Sequence, residues 1–405
     1  MKTLLIISQV YVPDPAAVGQ HLHDAAAEIA RRGHRVRVLT SSQGYHDPSA
    51  RYSEREVRDG VEIKRLGLSS FGKKSIFTRV AGGLSFLAQA ACRGLITPDI
   101  AGVLVSTSPP MAPAAAFFLK KLRRVPIIFW AMDVNPDQAV ATGKFSARSP
   151  AVIAFDALNR LFLRNARAVV ALDRFMADRL RKKYDLRDKI EVIPPWPLID
   201  EDRPPVDHED NRFREEHGLN GKFVAMYSGN FSIVNPVTTI LQAAIELQDD
   251  PDFVFLFVGG GNGLSDMKSF IETHQPKNVR LLPYQPLESL HFSLSAADIH
   301  LVSMGDNMVG IVHPCKVYGA MAVGRPIFYL GPDPSHISDL IKTHKIGWHV
   351  NHGDVKKAVR YLREAKAKGP SLLKEMGEKA RSAVRNDFAR NRLRTQFCNV
   401  LERGL

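Results

Sequence analysis

The stretch Thr3–Ser42, TLLIISQVYVPDPAAVGQHLHDAAAEIARRGHRVRVLTSS, reads as a strand, a helix and a second strand in succession. The runs TLLIISQ and RVRVLTSS are apolar and of strand length. Between them AVGQHLHDAAAEIARRGH has the composition and length of a helix, with Gly33 where a helix commonly ends. A strand, a crossover helix and a second strand make a parallel βαβ unit. The same alternation recurs along the chain. GVLVSTSPP, PIIFWAMD, AVVALD and IEVIPPW continue a first series of strands, and FVAMYSGNF, FVFLFVGGG, NVRLLPYQP, DIHLVSMG, RPIFYLG and GWHV form a second. Helices are expected at about 236–247, 263–275, 287–296, 314–323 and 335–343, with a charged helical run from about 354 to 404.

At 405 residues the chain exceeds what one core usually fills, so two domains are expected. The proline-rich, acidic stretch PPWPLIDEDRPPVDHED places a linker around 195–210. The fold class is therefore α/β, with two doubly wound parallel sheets: domains at 1–200 and 201–385 and a final helix at 386–405. Open sheets of this kind bind ligands outside the carboxyl ends of their strands. Residues just after each strand are the ones to inspect.

Composition narrows the classes. With 45% hydrophobic and 24% charged residues, long disorder is excluded. Cys92, Cys315 and Cys398 are too few and too scattered for a disulfide framework or a zinc site, and fit a reducing cytoplasm. The start MKTLLIISQVYVPDP lacks a small-residue cleavage site and reads as a first strand. No apolar run reaches the roughly 18 residues of a spanning helix. The net charge of +13 is uneven: residues 1–200 carry 30 Lys and Arg against 18 Asp and Glu, the remainder 25 against 24. An anionic partner is expected for the first half. Neither a helix-turn-helix nor an aromatic-basic recognition motif is present, so nucleic acid is not expected.

Several strand-end residues carry two readings. Gly19 lets backbone approach a phosphate or sugar, or serves an ordinary turn. His21 and His23 flank the helix start without the partners a metal needs. Asp133 follows PIIFWA, where a carboxylate is costly unless it works; Asp137 is expected to cap the next helix. Ser228, Gly229 and Asn230 form a polar turn suited to diphosphate or ribose, and the glycines of FVGGGNG clear space for a ligand without forming a GxGxxG fingerprint. Asp250-Pro-Asp252 has the D-x-D form of metal-dependent sugar transferases but precedes its strand, and reads as a turn. The phosphate loop, the Gly-x-Ser-x-Gly elbow and His-Glu-x-x-His are all missing.

Taken in order, ISQVYVPDPAAVGQHLHDAAAEIARRGHRVRVLTSS, STSPPMAPAAAFFLKKL, WAMDVNPDQAVATG, MYSGNFSIVNPVTTILQAA, FLFVGGGNG, NVRLLPYQP and HPCKVYGAMAVGRPI resemble the retaining glycosyltransferases of family 4 over essentially the whole chain. The branch it looks most similar to builds bacterial exopolysaccharide, lipopolysaccharide O-antigen or capsule, including the colanic-acid and N-acetylfucosamine transferases. The resemblance implies the GT-B architecture, two Rossmann-like domains facing a cleft, with the last helix crossing back to the N-terminal domain. It implies a nucleotide-sugar donor, UDP being commonest, held by the C-terminal domain at Ser228, Gly229, Asn230, Gly260, Gly261, Pro283, His313, Lys316, Tyr318 and Gly319, with Gly19 added from the N-terminal domain. It implies a glycan or polyprenyl-diphosphate-linked sugar acceptor on the N-terminal domain, near His21, Lys73, Lys74 and Asp133. No cofactor and no divalent metal are expected.

The chain departs from the family at one conspicuous place. The Glu-x7-Glu pair that surrounds the donor falls here on Ile311 and Gly319, and the Arg and Lys often found after the SG turn fall on Asn230 and on Asn235 or Pro236. The charge for the diphosphate must come from elsewhere, and Lys316 is the candidate. Arg325 is expected to pair structurally. Lys316 and Asp133 are the expected catalytic residues, the first stabilising the leaving diphosphate and the second orienting acceptor or sugar. The segments 69–94 and 111–124 mix aromatic and aliphatic residues with Lys73, Lys74, Arg79, Lys120, Lys121, Arg123 and Arg124. They suit either an anionic membrane surface or core helices with solvated basic ends. A cytoplasmic protein, peripheral at the inner face of the membrane, is the expectation. Two rivals stay open: a nucleotide-sugar epimerase on the same fold, and a non-catalytic partner subunit that has lost the Glu pair.

Overall fold

The computed structural model describes residues 2–44, 50–67, 76–186 and 188–405, excluding the side chains of 76–79. Lys73 and Lys74 lie outside the described residues, as does the side chain of Arg79. The chain divides into two compact units: Met1–Pro195 with Gly310–His313 and Asn391–Leu405, and Trp196–Val309 with Pro314–Arg390.

The first unit is built on strands β1 (Thr3–Ile7), β2 (Arg35–Ser41), β3 (Arg55–Arg58), β4 (Val61–Leu66), β5 (Ile100–Ser106), β6 (Ile127–Ala131), β7 (Ala168–Ala171) and β8 (Ile190–Val192). They form one sheet in the order β3-β4-β2-β1-β5-β6-β7-β8, parallel except for the edge strand β3. The inner strands read as unbroken apolar runs because helices cover both faces, and every residue of β1 and β6 is buried. The strand order reverses between β1 and β5, the switch point at which such sheets bind ligands.

The apolar-run reading does not assign β3 and β4. Their strands are short, alternating and partly charged, REVR and VEIKRL, since β3 lies at the edge and both expose one side. They join through Asp59 and Gly60 at φ 49° and 77°, the paired positive angles of a tight hairpin for which Asp-Gly is the usual signal.

The last helix, Arg390–Glu402, returns to this unit. Phe397 packs on Trp130 with ring centroids 4.8 Å apart, Arg394 pairs with Asp24 at 2.9 Å, and Glu402 with Arg32 at 2.8 Å.

The second unit has six strands, β9 (Phe223–Asn230), β10 (Phe253–Gly260), β11 (Val279–Leu282), β12 (Ile299–Ser303), β13 (Ile327–Leu330) and β14 (Gly347–Val350). All are parallel, in the order β11-β10-β9-β12-β13-β14. Alternation sorts the side chains of β9 and β10 into two cores. Phe223, Ala225, Tyr227, Phe253, Phe255 and Phe257 face one helical layer, and Val224, Met226, Val254, Leu256 and Val258 the other. Each buried phenylalanine contributes about 1.5–3 kcal/mol. The switch point here lies between β9 and β12. The charged C-terminal run is three helices in succession: within Val355–Asp387, Gly369 at φ 73° followed by Pro370 ends one helix and starts the next, and Arg390–Glu402 follows.

Candidate functional site

In the second unit β9 and β10 run side by side to their carboxyl ends, with Gly259 beside Gly229 and Gly260 beside Asn230. A Cβ on Gly259 would stand 2.0 Å from the Gly229 carbonyl oxygen, so only glycine permits this approach. Tyr284, just after β11, donates its hydroxyl to the Gly260 carbonyl at 3.3 Å. The result is a bare backbone shelf at the ligand-binding end of the sheet. Asn230 is exposed on it, Ser228 is half-buried, and Pro283 is exposed after β11.

Lys316 reaches this shelf from the helix Lys316–Ala322. Its Nζ would lie 3.6 Å from a Cβ placed on Gly229. The nitrogen is buried and has no hydrogen-bond partner among the described residues. It stands 3.3 Å from the centroid of the Tyr227 ring, a cation–π contact. Burial pushes its pKa down to about 7, opposed only by Cys315 beside it. The helix has seven residues, shorter than the 314–323 expected, so the lysine rather than the helix dipole is the main source of positive charge. An amine buried without a counter-charge is costly, and its surroundings suit an anionic ligand.

Other residues assigned to the donor have different surroundings. Tyr318 is buried in the unit's interior; its hydroxyl lies 2.9 Å from His336 Nε2, and its ring packs on Phe388 at 5.2 Å. That placement removes it from the shelf. A Cβ on Gly319 would point at Leu294, 3.4 Å away. Arg325 donates to the Ser295 and Val206 carbonyls, a structural role. Asp250 and Asp252 sit at the amino end of β10 and pair with Lys366 and Lys222 at 2.6 and 2.9 Å.

In the first unit Asp133 stands just past β6. Its backbone N–H donates to the Thr107 hydroxyl at 3.3 Å. Its carboxylate has no hydrogen-bonding or ionic partner among the described residues. Part of the residue is exposed, but the carboxyl group itself is desolvated, which pushes its pKa up to about 6. Asp137 does not cap its helix. It is the first residue of Asp137–Ala141 and pairs with Arg179 at 2.6 Å and with Lys183. Gly19 has a packing role: a Cβ there would meet the Tyr11 backbone at 2.9 Å, and its N–H is donated to the Ala16 carbonyl. His21 is buried, with Nδ1 2.8 Å from the Ala17 carbonyl and its ring edge-on to Trp130.

His313 groups with the first unit. Its side chain is fully buried, with Nδ1 2.7 Å from Asp173 Oδ2. The other oxygen of Asp173 accepts the Met176 N–H and caps the helix Arg174–Tyr184. Ile311, at the first missing-glutamate position, accepts the Val134 N–H on its carbonyl at 2.9 Å.

Three of the residues that shape these sites, Tyr227, Tyr284 and Thr107, are not singled out by sequence reasoning. Tyr227 lies within β9 beside Ser228, Tyr284 follows β11 beside Pro283, and Thr107 follows β5. Period-two alternation along FVAMY places Tyr227 with Phe223 and Ala225, but nothing local pairs it with a lysine some ninety residues on.

The basic segments resolve into mixed roles. Lys120 donates to the Asn165 carbonyl and Arg123 to that of Leu95, each closing the C-terminus of a neighbouring helix. Between these charges the helices Ile76–Leu95, Ala112–Arg123 and Pro150–Asn165, which pack in sequence, expose Val80, Leu84, Phe118, Leu122 and Ile153. No helix among the described residues is long and apolar enough to cross a membrane.

Comparison with known proteins agrees with this geometry. Residues 16–196 match the glycosyl transferase 4-like domain, and residues 209–383 match the glycosyl transferases group 1 family. Together the two matches span most of the chain, which is a glycosyltransferase with the GT-B fold. It is 28% identical to the probable glycosyltransferase WbjE of Pseudomonas aeruginosa over 57% of this chain and 58% of that protein. It is 25% identical to the putative colanic acid biosynthesis glycosyl transferase WcaI of Escherichia coli K12, over 79% of this chain and 81% of that one. The structure of Anabaena HepE in complex with UDP and glucose superposes with a TM-score of 0.72 over 99% of both chains at 12% identity, a likeness of fold.

Proposed function

We propose that this protein transfers a sugar, with retention of anomeric configuration and without a metal ion, from a nucleoside-diphosphate sugar to a glycan or lipid-diphosphate-linked acceptor in cell-surface polysaccharide synthesis. The observation that carries the donor assignment is the buried Lys316 amine, without a polar partner and directed at the Gly229 shelf. The UDP complex of HepE supports a uridine nucleotide as donor, and the name of WcaI, a putative colanic acid biosynthesis glycosyl transferase, supports the polysaccharide setting.

The reaction breaks the bond between the anomeric carbon and the diphosphate oxygen and forms one from that carbon to the acceptor hydroxyl. The hydroxyl proton passes to the departing phosphate on the same face of the sugar. Lys316 stabilises the charge that grows on the diphosphate. Asp133, raised toward neutrality by burial, orients a hydroxyl of acceptor or sugar. Metal independence is supported by the D-x-D carboxylates being engaged by lysines away from the strand ends. The exposed apolar residues of the helices named above support docking to the inner face of an anionic membrane, where a lipid-linked acceptor resides.

The test is calorimetric titration with UDP, GDP and ADP, each repeated in EDTA. Saturable binding of one nucleotide that survives EDTA, and at least about a tenfold loss of turnover in Lys316→Ala, is the expected result. No binding by any of the three would favour a partner subunit that keeps the fold without the reaction. Failure to sediment with anionic vesicles at low salt would remove the membrane assignment.

A further inference from the structure

Lys316 contrasts with an ordinary surface lysine, whose charge is held by water. Here the nitrogen is screened from solvent, accepts no help from any carbonyl or carboxylate, and rests 3.3 Å over the Tyr227 ring. Tyr227 is itself rigid. It is fully buried, packed with Phe231 and Phe257, and its hydroxyl is donated to the Asn230 carbonyl at 3.0 Å. That hydroxyl bond ties the ring to the same turn, Ser228–Asn230, that forms the shelf. The ring thus fixes where the amine stands relative to Gly229.

We infer that Tyr227 is the positioning residue of the donor site: its ring holds the Lys316 amine beside Gly229, and the incoming diphosphate is bound together with a proton that the amine takes up from solvent. This rests on the donor reading above and goes beyond it, since a permanently charged lysine would bind the same ligand with no proton exchanged. The π face stabilises a cation but cannot supply a full counter-charge, so the free amine stays poorly supported in its charged form. A diphosphate oxygen supplies that counter-charge, and the ammonium becomes the favoured species. Burial lowers the amine's pKa to about 7 in the unliganded protein, in accord with this. Of the titratable groups in this unit that bear on the amine, Cys315 favours its charged form, and Tyr227, with Tyr284 opposite it, is held in the neutral phenol form by burial.

The experiment is calorimetric titration with UDP, ADP and GDP at pH 8, run in two buffers of different ionisation heat. The dependence of the observed heat on the buffer counts the protons exchanged. At that pH the nucleotide's own phosphates are ionised, so uptake of about one proton per nucleotide is expected from an amine titrating near 7. Lys316→Met should lose the uptake and bind about tenfold or more weakly. Tyr227→Leu should weaken binding about threefold or more, whereas Tyr227→Phe, which keeps the ring, should restore affinity and uptake. Thermal unfolding of each variant separates a loss of site from a loss of fold. Tight binding with no proton exchanged, or uptake that persists in Lys316→Met, overturns this inference alone. Equal affinity in the Leu and Phe variants, both folded, overturns the role of the ring. No binding by any nucleotide overturns the donor reading and this inference together.

Discussion

Two buried cations in the second unit differ in one respect only, and the difference separates structure from function. Arg214 is buried, and its guanidinium donates to the carbonyls of Ala296, Leu219 and Lys222 at 2.5, 2.7 and 2.5 Å, with Asp298 at 3.4 Å. It ties the start of the unit to the turn before β12. Lys316 is also shielded, yet no carbonyl or carboxylate answers it. Burial lowers the pKa of both. The first charge is satisfied by the fold. The second is left for something the fold does not contain.

That contrast can be broken or sharpened by experiment. The largest expected effect is on Arg214. Replacing it with methionine leaves three carbonyls without their donor and removes the cation beside Asp298, and should destabilise the protein by about 3–5 kcal/mol in denaturant unfolding. A small effect would make Arg214 no more structural than Lys316. The converse substitution, Lys316→Met, should stabilise the unliganded protein. An amine whose pKa falls from 10.5 unfolded to about 7 folded disfavours folding most where both states are charged, below pH 7. The gain should be roughly 2–4 kcal/mol at pH 6 and should fade as pH rises from 7 toward 10. Destabilisation at pH 6 would show that the lysine is structural after all.

Asp133 offers the acidic counterpart in the first unit. Its pKa is raised from 3.8 to about 6, so the folded protein holds this proton more tightly than the unfolded chain does. The resulting penalty is missing below pH 4, grows between pH 4 and 6, and is constant above. Asp133→Asn should therefore stabilise the protein by about 1–3 kcal/mol at pH 7.5 and by little at pH 4, while lowering turnover. A gain that is the same at both pH values would detach Asp133 from the titration. The smallest effect is expected at the surface. Phe118→Ser with Leu122→Ser should reduce partition onto anionic vesicles several-fold, roughly as loss of two partly inserted side chains predicts, with little change in thermal stability. Unchanged partition would place the membrane contact elsewhere.

The legibility of these features in the sequence differs by range. Twelve of the fourteen strands among the described residues are legible as short apolar runs, most plainly the inner ones, which are covered on both faces. The hairpin β3–β4 escaped although Asp59-Gly60 marks it, since REVR at the sheet edge and VEIKRL beside it are short and interrupted by charge. Asp133 and Lys316 could be singled out as charges at strand or helix ends. Asp137, expected from sequence to cap its helix, is instead neutralised by Arg179 and Lys183, residues of another helix. Tyr318 shared a motif with Lys316 and yet points into the interior, because successive residues of a helix face directions about 100° apart.

By itself, the sequence determined the class of fold, the family, the end of each sheet where ligands bind, and the set of charged residues worth testing. These follow from local periodicity and from the order of short motifs, which need no knowledge of distant neighbours. Only the tertiary structure decided which of those charges lacks a partner. Whether a lysine is answered depends on residues far along the chain, here Tyr227 below it and Gly229 beside it. The energy of a buried charge is set by everything within a few ångströms, and sequence does not record that distance.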